Sequence, residues 1–250
     1  MHISLVVITL NEAEKLGDCL KSVAGLADEM LVVDSGSTDG TQALAESLGA
    51  RVVHRPFNGH IEQKNAAAQL AQHDWVLSLD ADERLDAEAR TEIAALKQQG
   101  AKKAAYGWRR LNHYGEQPIR HGAWYPDRKL RLWKKQAGRW TGTNPHDRWE
   151  CTEKDSEQWL KGHILHFSFK GAKEHRQQAD RFAGIAAQAM KSQGKTASVF
   201  RPYLHAGIRW IRDYIWLGGF LDGQAGWQIA GINAWEAGEK YRRLRRLNKS

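Results

Sequence analysis

Ile3-Ser4-Leu5-Val6-Val7-Ile8-Thr9-Leu10-Asn11-Glu12 begins as an apolar, largely β-branched run and stops abruptly at a polar pair. A run of this kind is the pattern of a strand buried on both faces in a parallel sheet. Working outward, the same unit recurs. Asn11 can cap a helix with Glu14 three residues on, and Leu16, Cys19, Leu20, Val23 and Ala24 follow at helical spacing before Gly25. Further strands are predicted over 30–33, 51–54 and 75–79, and further helices over 42–48 and 61–71. The alternation predicts an α/β fold: a Rossmann-like, mostly parallel sheet with helices on both faces, whose ligands bind beyond the carboxyl ends of the strands. The polar residues at those ends are Thr9 and Asn11, then 34–39, then 80–83.

Composition narrows the partners. The 250 residues are 42% hydrophobic and 26% charged, which excludes wholesale disorder. Lys and Arg outnumber Asp and Glu by 37 to 29, an excess that suits an anionic partner: nucleic acid, a phosphorylated substrate or an acidic lipid. The two cysteines, Cys19 and Cys151, have no metal-type or redox spacing and read as reduced structural thiols of a cytoplasmic protein. The apolar start lacks a basic lead and a small-residue cleavage site, so it reads as a strand. No stretch approaches the roughly 18 apolar residues that span a bilayer, so membrane contact is expected to be peripheral.

Two segments carry chemistry. In 75–85 an apolar strand runs into Asp80-Ala81-Asp82-Glu83. Two carboxylates one residue apart at a strand end can face one hard cation, Mg²⁺ or Mn²⁺, which in turn holds a diphosphate. Alone, such a pair is more often a solvated turn; its place at the fourth strand of an acid-tipped series raises it. The second segment, Val-Val-Asp-Ser-Gly-Ser-Thr-Asp-Gly-Thr over 32–41, offers backbone N–H groups and side-chain acceptors to a nucleotide. Asp39 suits a helix cap, and Asp34, ending a buried strand, suits ligand contact.

From 106 to 159 the chain turns aromatic and basic, with Trp108, Trp124, Trp133, Trp140, Trp149 and Trp159, and loops and short strands are expected. A single tryptophan is usually core. This many, interleaved with Arg109, Arg110, Arg120, Arg128 and Arg131, suit a groove where rings pack on sugars and guanidinium groups fork phosphates. The final third reads as helical over 174–191 and 203–235, with a basic end over 240–249. Ile208, Trp210, Ile211, Ile215 and Trp216 recur at helical spacing between Arg209 and Arg212. Most such stripes pack on their own domain, yet this one and the polybasic end also suit an anionic membrane surface.

Leu-Val-Val-Ile-Thr-Leu-Asn-Glu from Leu5, the segment 32–41 and Ser-Leu-Asp-Ala-Asp-Glu from Ser78 together resemble glycosyltransferase family 2, the GT-A fold. Trp-Tyr-Pro-Asp from Trp124, Leu-Arg-Leu-Trp from Leu130, Pro-His-Asp from Pro145, His-Phe-Ser-Phe from His166 and Phe-Leu-Asp-Gly from Phe220 are similar to its lipopolysaccharide-core β-1,4-glucosyltransferase subfamily. The resemblance implies a nucleotide-sugar site of Thr9, Asn11, Glu12, Asp34, Ser35 and Asp80. Asp82 would be the direct metal ligand, with Asp80 near the ribose or the metal. Ser35 departs from relatives that carry a second, uracil-reading acid there, which leaves the base less defined than the nucleotide. Inverting transfer also needs a general base. Asp147 is the first candidate, since Pro-His-Asp stands where the subfamily has Val-His-Glu; Asp127 and Glu150 follow. Trp124, Arg128 and Arg131 are the expected acceptor contacts. His163 and His166 each read more readily as structural histidines than as a third metal ligand.

The implied reaction moves a hexose, glucose from UDP-glucose, to a heptose of the lipopolysaccharide inner core, at the cytoplasmic face of the inner membrane. Galactose, or a capsule or other glycolipid precursor, is the nearest alternative. Processive synthesis is disfavoured, because Arg209-Trp210 lacks the glutamine three residues before the arginine. A non-catalytic nucleic-acid-binding protein is the rival from another class, but the chain has no nucleic-acid motif and its acid-lined strand ends would repel phosphate without metal. The expected organisation is a catalytic domain over 1–170, divided into a nucleotide-sugar half (1–100) and an acceptor half (101–170), with a helical extension over 171–250.

Overall fold

β1 (Ile3–Thr9) is buried almost throughout because parallel strands β2 (Glu29–Asp34) and β4 (Trp75–Ser78) flank it. Its alternate side chains enter different cores. Ile3, Leu5 and Val7 join Leu16, Cys19 and Leu20 of α1 (Ala13–Ser22), while Val6 joins Ala67 of α3 (His60–Leu70). This is the two-sided burial that the unbroken apolar run requires. β3 (Arg51–His54) extends the parallel half, and α2 (Thr41–Ser47) precedes it. The computed structural model describes residues 1–143, 146–153 and 155–248, with His146 described by its backbone alone. Pro145 of the Pro-His-Asp motif and Lys249 of the basic end therefore lie outside the described residues.

The sheet continues in the order β3-β2-β1-β4-β8-β6-β11-β5, with a short β7 beside β6. These added strands are β5 (Glu83–Leu85), β6 (Ala105–Tyr114), β7 (Gln117–Pro118), β8 (Asp127–Lys134) and β11 (Glu157–Phe169). β8 runs antiparallel to β4 and β6, and β5 antiparallel to β11. The α/β class holds, with an antiparallel second half. Loops and short strands are expected here, yet β6 has 10 residues and β11 has 13, since aromatic side chains favour a pleated, half-buried surface. No element is expected over 86–99, yet α4 (Ala87–Gln99) forms there behind Asp86, whose carboxylate accepts from Ala89 N–H at 2.7 Å.

The tryptophans are mostly core, which corrects the groove reading. Trp108, Trp133, Trp140 and Trp149 are buried. Trp133 stacks on Trp149 with ring centroids 4.8 Å apart and meets Trp140 edge-on at 5.7 Å. Trp140 and Trp149 come from β9 (Gly138–Thr143) and β10 (His146–Cys151), a separate antiparallel ribbon in which they pair directly. Both cysteines are free thiols.

The chain divides into two compact units, 1–110 with 127–166, and 111–126 with 167–250. The second takes 111–126, which sequence analysis leaves with the sheet. Asn112 there donates to the Trp124 carbonyl, and Tyr114 and Trp124 cluster with Phe169 and His175. Its helices are α5 (Ala172–Ser192), α6 (Arg201–Trp210), which runs into a π-helical turn (Ile211–Trp216), and α7 (Gly223–Leu247). The basic end is not a tail. As far as Leu247 it forms the last turns of α7, with Tyr241 and Leu244 buried against Ala187 of α5. Among the described residues no helix is long and apolar enough to cross a membrane.

Candidate active site

The loop after β2 is assembled around Asp34. Its buried carboxylate accepts from Thr9 Oγ1 at 2.9 Å, Gly36 N–H at 3.0 Å, Ser37 N–H at 2.9 Å and Gln42 Nε2 at 2.6 Å, and from the Ser37 hydroxyl. Burial raises the Asp34 pKa, but the donors from Ser37, Gln42 and Gly36 outweigh it and leave the carboxyl below its ordinary range. With this many donors the side chain anchors the loop, where sequence analysis expects ligand contact.

Asn11 does not cap α1. It sits at φ 56°, donates its N–H to Ser37 Oγ and accepts Thr38 N–H on Oδ1 at 2.9 Å, tying the end of β1 to the 34–41 loop. Asp39 does the capping, for two helices at once: Oδ2 accepts from Ala13 N–H and Oδ1 from Thr41 N–H, each at 3.1 Å. Glu12 N–H donates to Thr41 Oγ1, and Ser35 Oγ accepts from Gln63 Nε2. Thr9, Asn11, Glu12, Asp34 and Ser35 therefore meet around one loop.

Beside it runs a ladder of alternating charge. Lys64 Nζ bonds Asp147 Oδ2 at 2.8 Å and Asp80 Oδ1 at 2.9 Å. Arg131 bonds Asp80 Oδ2 at 2.9 Å and Glu83 Oε1 at 2.6 Å. Arg110 stands 3.4 Å from Glu83 and 2.7 Å from Asp127, whose other oxygen is 3.2 Å from Lys129. The four acids and four bases alternate without a break. Burial acts to raise the Asp80 pKa, but Lys64 and Arg131 hold it well below the usual carboxylate range. Burial acts to lower Arg131, and Glu83 and Asp80 reverse it, so the guanidinium stays protonated.

Asp82 stands outside the ladder. The β11 register sets His166 opposite Glu83, and His166 Nε2 lies 3.5 Å from Asp82 Oδ2; Lys15 is 3.8 Å away. Glu12 nearby is pushed up in pKa, first by burial and then, against Lys15, by Asp82, Asp39 and Asp80. Negative charge is thus in local excess here, unlike in the balanced ladder. Among the described residues no group of three acid, His or Cys side chains could hold a metal. The Asp82 carboxylate and His166 imidazole nevertheless face each other as a two-ligand set, and the residues fit a cation of the kind that completes its shell with phosphate oxygens and water. His163 instead lies 3.4 Å from Asp86.

The remaining candidates separate. Asp147 and Trp149 share one face of the β9–β10 ribbon, and Glu150 takes the other, exposed and paired with Arg148 at 2.5 Å. Arg131 is buried under Asp80 and not in an acceptor groove. Arg128 lies on the opposite face of β8, its guanidinium 5.6 Å from the exposed Trp159 ring. Trp124 packs in the aromatic cluster of the second unit. Of the three acceptor candidates, Arg128 and Arg131 thus lie on opposite faces of one strand, and Trp124 belongs to the second unit. Lys64, buried and 4.4 Å from the Trp140 ring centroid, is a site residue absent from the sequence-based candidates. Its signal is position: it lies three residues after Ile61 and three before Ala67, on the apolar face of its helix.

The model of the family "Glycosyl transferase family 2" matches residues 4–152. An uncharacterized glycosyltransferase of Rickettsia prowazekii is 32% identical over 241 residues, 88% of this chain and 81% of its own. The lipopolysaccharide core biosynthesis glycosyltransferase LpsC of Rhizobium meliloti is 29% identical over 94% of this chain and 91% of its own. A Rickettsia bellii glycosyltransferase is 48% identical over 91 residues, and that match spans about a third of its length, 31%. Among solved structures, TarS of S. aureus in complex with UDP-GlcNAc overlays 97% of this chain and 92% of its own, at TM-score 0.50 and 14% identity, a likeness of fold.

Proposed function

The chain belongs to glycosyl transferase family 2, and from that premise we propose that it moves a hexose, glucose from UDP-glucose, to a heptose of the lipopolysaccharide inner core with inversion. The observation that carries the reading is the pairing of Asp82 with His166 beside a charge-balanced ladder, at the carboxyl ends of parallel strands. The similarity to LpsC over most of both chains supports the choice of acceptor.

Asp82 and His166 would hold the metal, Mg²⁺ or Mn²⁺; the imidazole favours Mn²⁺. Bound there, the ion would neutralise the donor diphosphate and stabilise it as a leaving group. Thr9, Asn11, Glu12 and Ser35 line the nucleotide, on a loop that Asp34 holds in place. Asp147 takes the proton of the attacking acceptor hydroxyl. The new bond forms from that oxygen to the anomeric carbon as the bond to the diphosphate breaks, and the electron pair leaves with UDP. Asp147 is preferred to Asp127 because both oxygens of Asp127 are engaged by cations, Arg110 on one and Lys129 on the other, while Asp147 forms an ion pair with Lys64 alone among the described residues. A lipid-linked acceptor suits work at the cytoplasmic face of the inner membrane.

The test is a turnover assay with UDP-glucose and a heptose-terminated core acceptor, with Mn²⁺ and with excess chelator. A β-linked product formed only with metal is the expected result. Transfer from another nucleotide sugar alone, or to a capsule precursor alone, would replace the donor or acceptor and keep the family chemistry.

A further inference from the structure

The second unit leaves its apolar stripe outside. Phe200, Leu204, Ile208, Ile211 and Ile215 follow one another at steps of three and four residues along α6 and the π-helical turn, which places them on one face. All are exposed: Phe200 by 80%, Leu204 by 61%, Ile208 by 52% and Ile215 by 50%, with Trp216 at 75% just beyond. A helix that packs on its own domain buries such a stripe, and soluble monomers seldom expose a continuous one. Arg209 and Arg212 both bond the buried carboxylate of Asp213, and Trp210 packs on Tyr214 and Trp227.

Cationic groups lie at the start of the stripe. A cleft of about 210 Å³ is lined by Pro202, Tyr203, Arg242, Arg245 and Arg246, so the first turn of α6 carries both the cleft and the beginning of the apolar face. Arg242 is bonded to Glu239, whereas Arg245 and Arg246 have no carboxylate partner among the described residues. From 199 to 250 nine lysines and arginines stand against four acids.

The geometry points to a membrane-docking surface: α6 and its π-helical turn lie in the plane of an anionic bilayer, the stripe at acyl-chain level and a lipid phosphate in the cleft between Arg245 and Arg246. Apolar residues on one helix face with arginines beside it match the chemistry of an interfacial helix, and unpaired guanidinium groups complement phosphate. The inference deepens the proposed function, resting on it only for the purpose of docking, which is to bring the enzyme to a lipid-linked acceptor. It also moves the contact from the basic end as a tail to a helix face. A truncation after Glu239 would remove Tyr241 and Leu244 from the core and so could not isolate the contact.

Co-sedimentation of the full chain with vesicles tests it, since binding is read without acceptor or turnover. Vesicles rich in phosphatidylglycerol should bind wild type at least about tenfold more tightly than phosphatidylcholine vesicles, with the preference weakened by salt. Leu204→Glu with Ile208→Glu should abolish sedimentation with both. Arg245→Glu with Arg246→Glu should remove the preference for phosphatidylglycerol, at roughly fivefold or more per arginine. Unchanged melting and retained UDP-glucose turnover on detergent-dispersed acceptor would show that each variant is folded. Equal sedimentation of wild type and the Leu204→Glu, Ile208→Glu variant would overturn the proposal. So would a vesicle-independent dimer, seen by light scattering and lost in that variant, because a second copy of the chain would then cover the stripe. Failure of the turnover assay with vesicle binding intact would remove the functional reading and leave the docking surface standing.

Discussion

The two units treat charge and apolar surface in opposite ways. In the first, four acids and four bases are drawn into one largely buried ladder from Asp147 to Lys129, and Trp108, Trp133, Trp140 and Trp149 are core. In the second, an apolar stripe stays in solvent, and Arg245 and Arg246 have no acid partner among the described residues. Buried alternating charge is costly in desolvation and contributes little net stability, so it is best understood as a fixed electrostatic frame around a reacting site. An exposed apolar face contributes nothing to the fold of the free chain, and is best understood as a surface that another phase covers.

The largest effect should come from the end of the ladder. Asp147→Asn should lower turnover by roughly 10² to 10⁴ while metal-dependent donor binding, read by calorimetry, stays intact. Retained turnover there, with loss in Asp127→Asn, would move the base to the other end of the same ladder. Next, Lys64→Ala leaves Asp147 without its ammonium and Asp80 with Arg131 alone; destabilisation of about 3 to 5 kcal/mol is expected in urea unfolding, as for any broken buried pair. A loss below about 1 kcal/mol would mean that the ladder is hydrated, like a surface pair.

The second unit carries a pH signature of its own. Burial lowers the pKa of His175 from 6.5 to about 4, against a hydrogen bond with the Asn233 side chain that raises it. As pH falls, the unfolded chain takes up this proton first. The stability His175 contributes is therefore fully present above about 6.5 and is lost as pH falls towards 4, on the order of 3 kcal/mol in all. Thermal melting across that range should show the loss in wild type and a flatter profile in His175→Gln. The smallest effect is expected at Glu150, on the outer face of its ribbon: Glu150→Gln should change turnover by less than about twofold, as for a surface position away from the site.

Legibility followed physical cause. The parallel half was plain in the sequence, because strands buried on both faces have no polar alternation to confuse with a helix, and Asp80 and Asp82 could be placed from strand order alone. Asp34 and Arg131 were harder. The resemblance places both beside the ligand, but only the donors around Asp34 and the acids Asp80 and Glu83 around Arg131 reveal the partners each has within the protein itself. The tryptophans misled because composition does not tell a groove from a core, and strand pairing that sets Trp149 against Trp140 decides for the core. Lys64 is a lysine on an apolar helix face, and its role depends on Asp147, 83 residues away, which no local pattern encodes.

Calorimetry of UDP-glucose binding tests the central claim most directly, comparing wild type with Asp82→Asn in Mn²⁺ and in excess chelator. Wild type should bind the donor with Mn²⁺ and at least about tenfold more weakly in chelator, and Asp82→Asn should bind weakly in both while melting as wild type does. Equal binding by wild type with and without metal, or by Asp82→Asn and wild type in Mn²⁺, would contradict it.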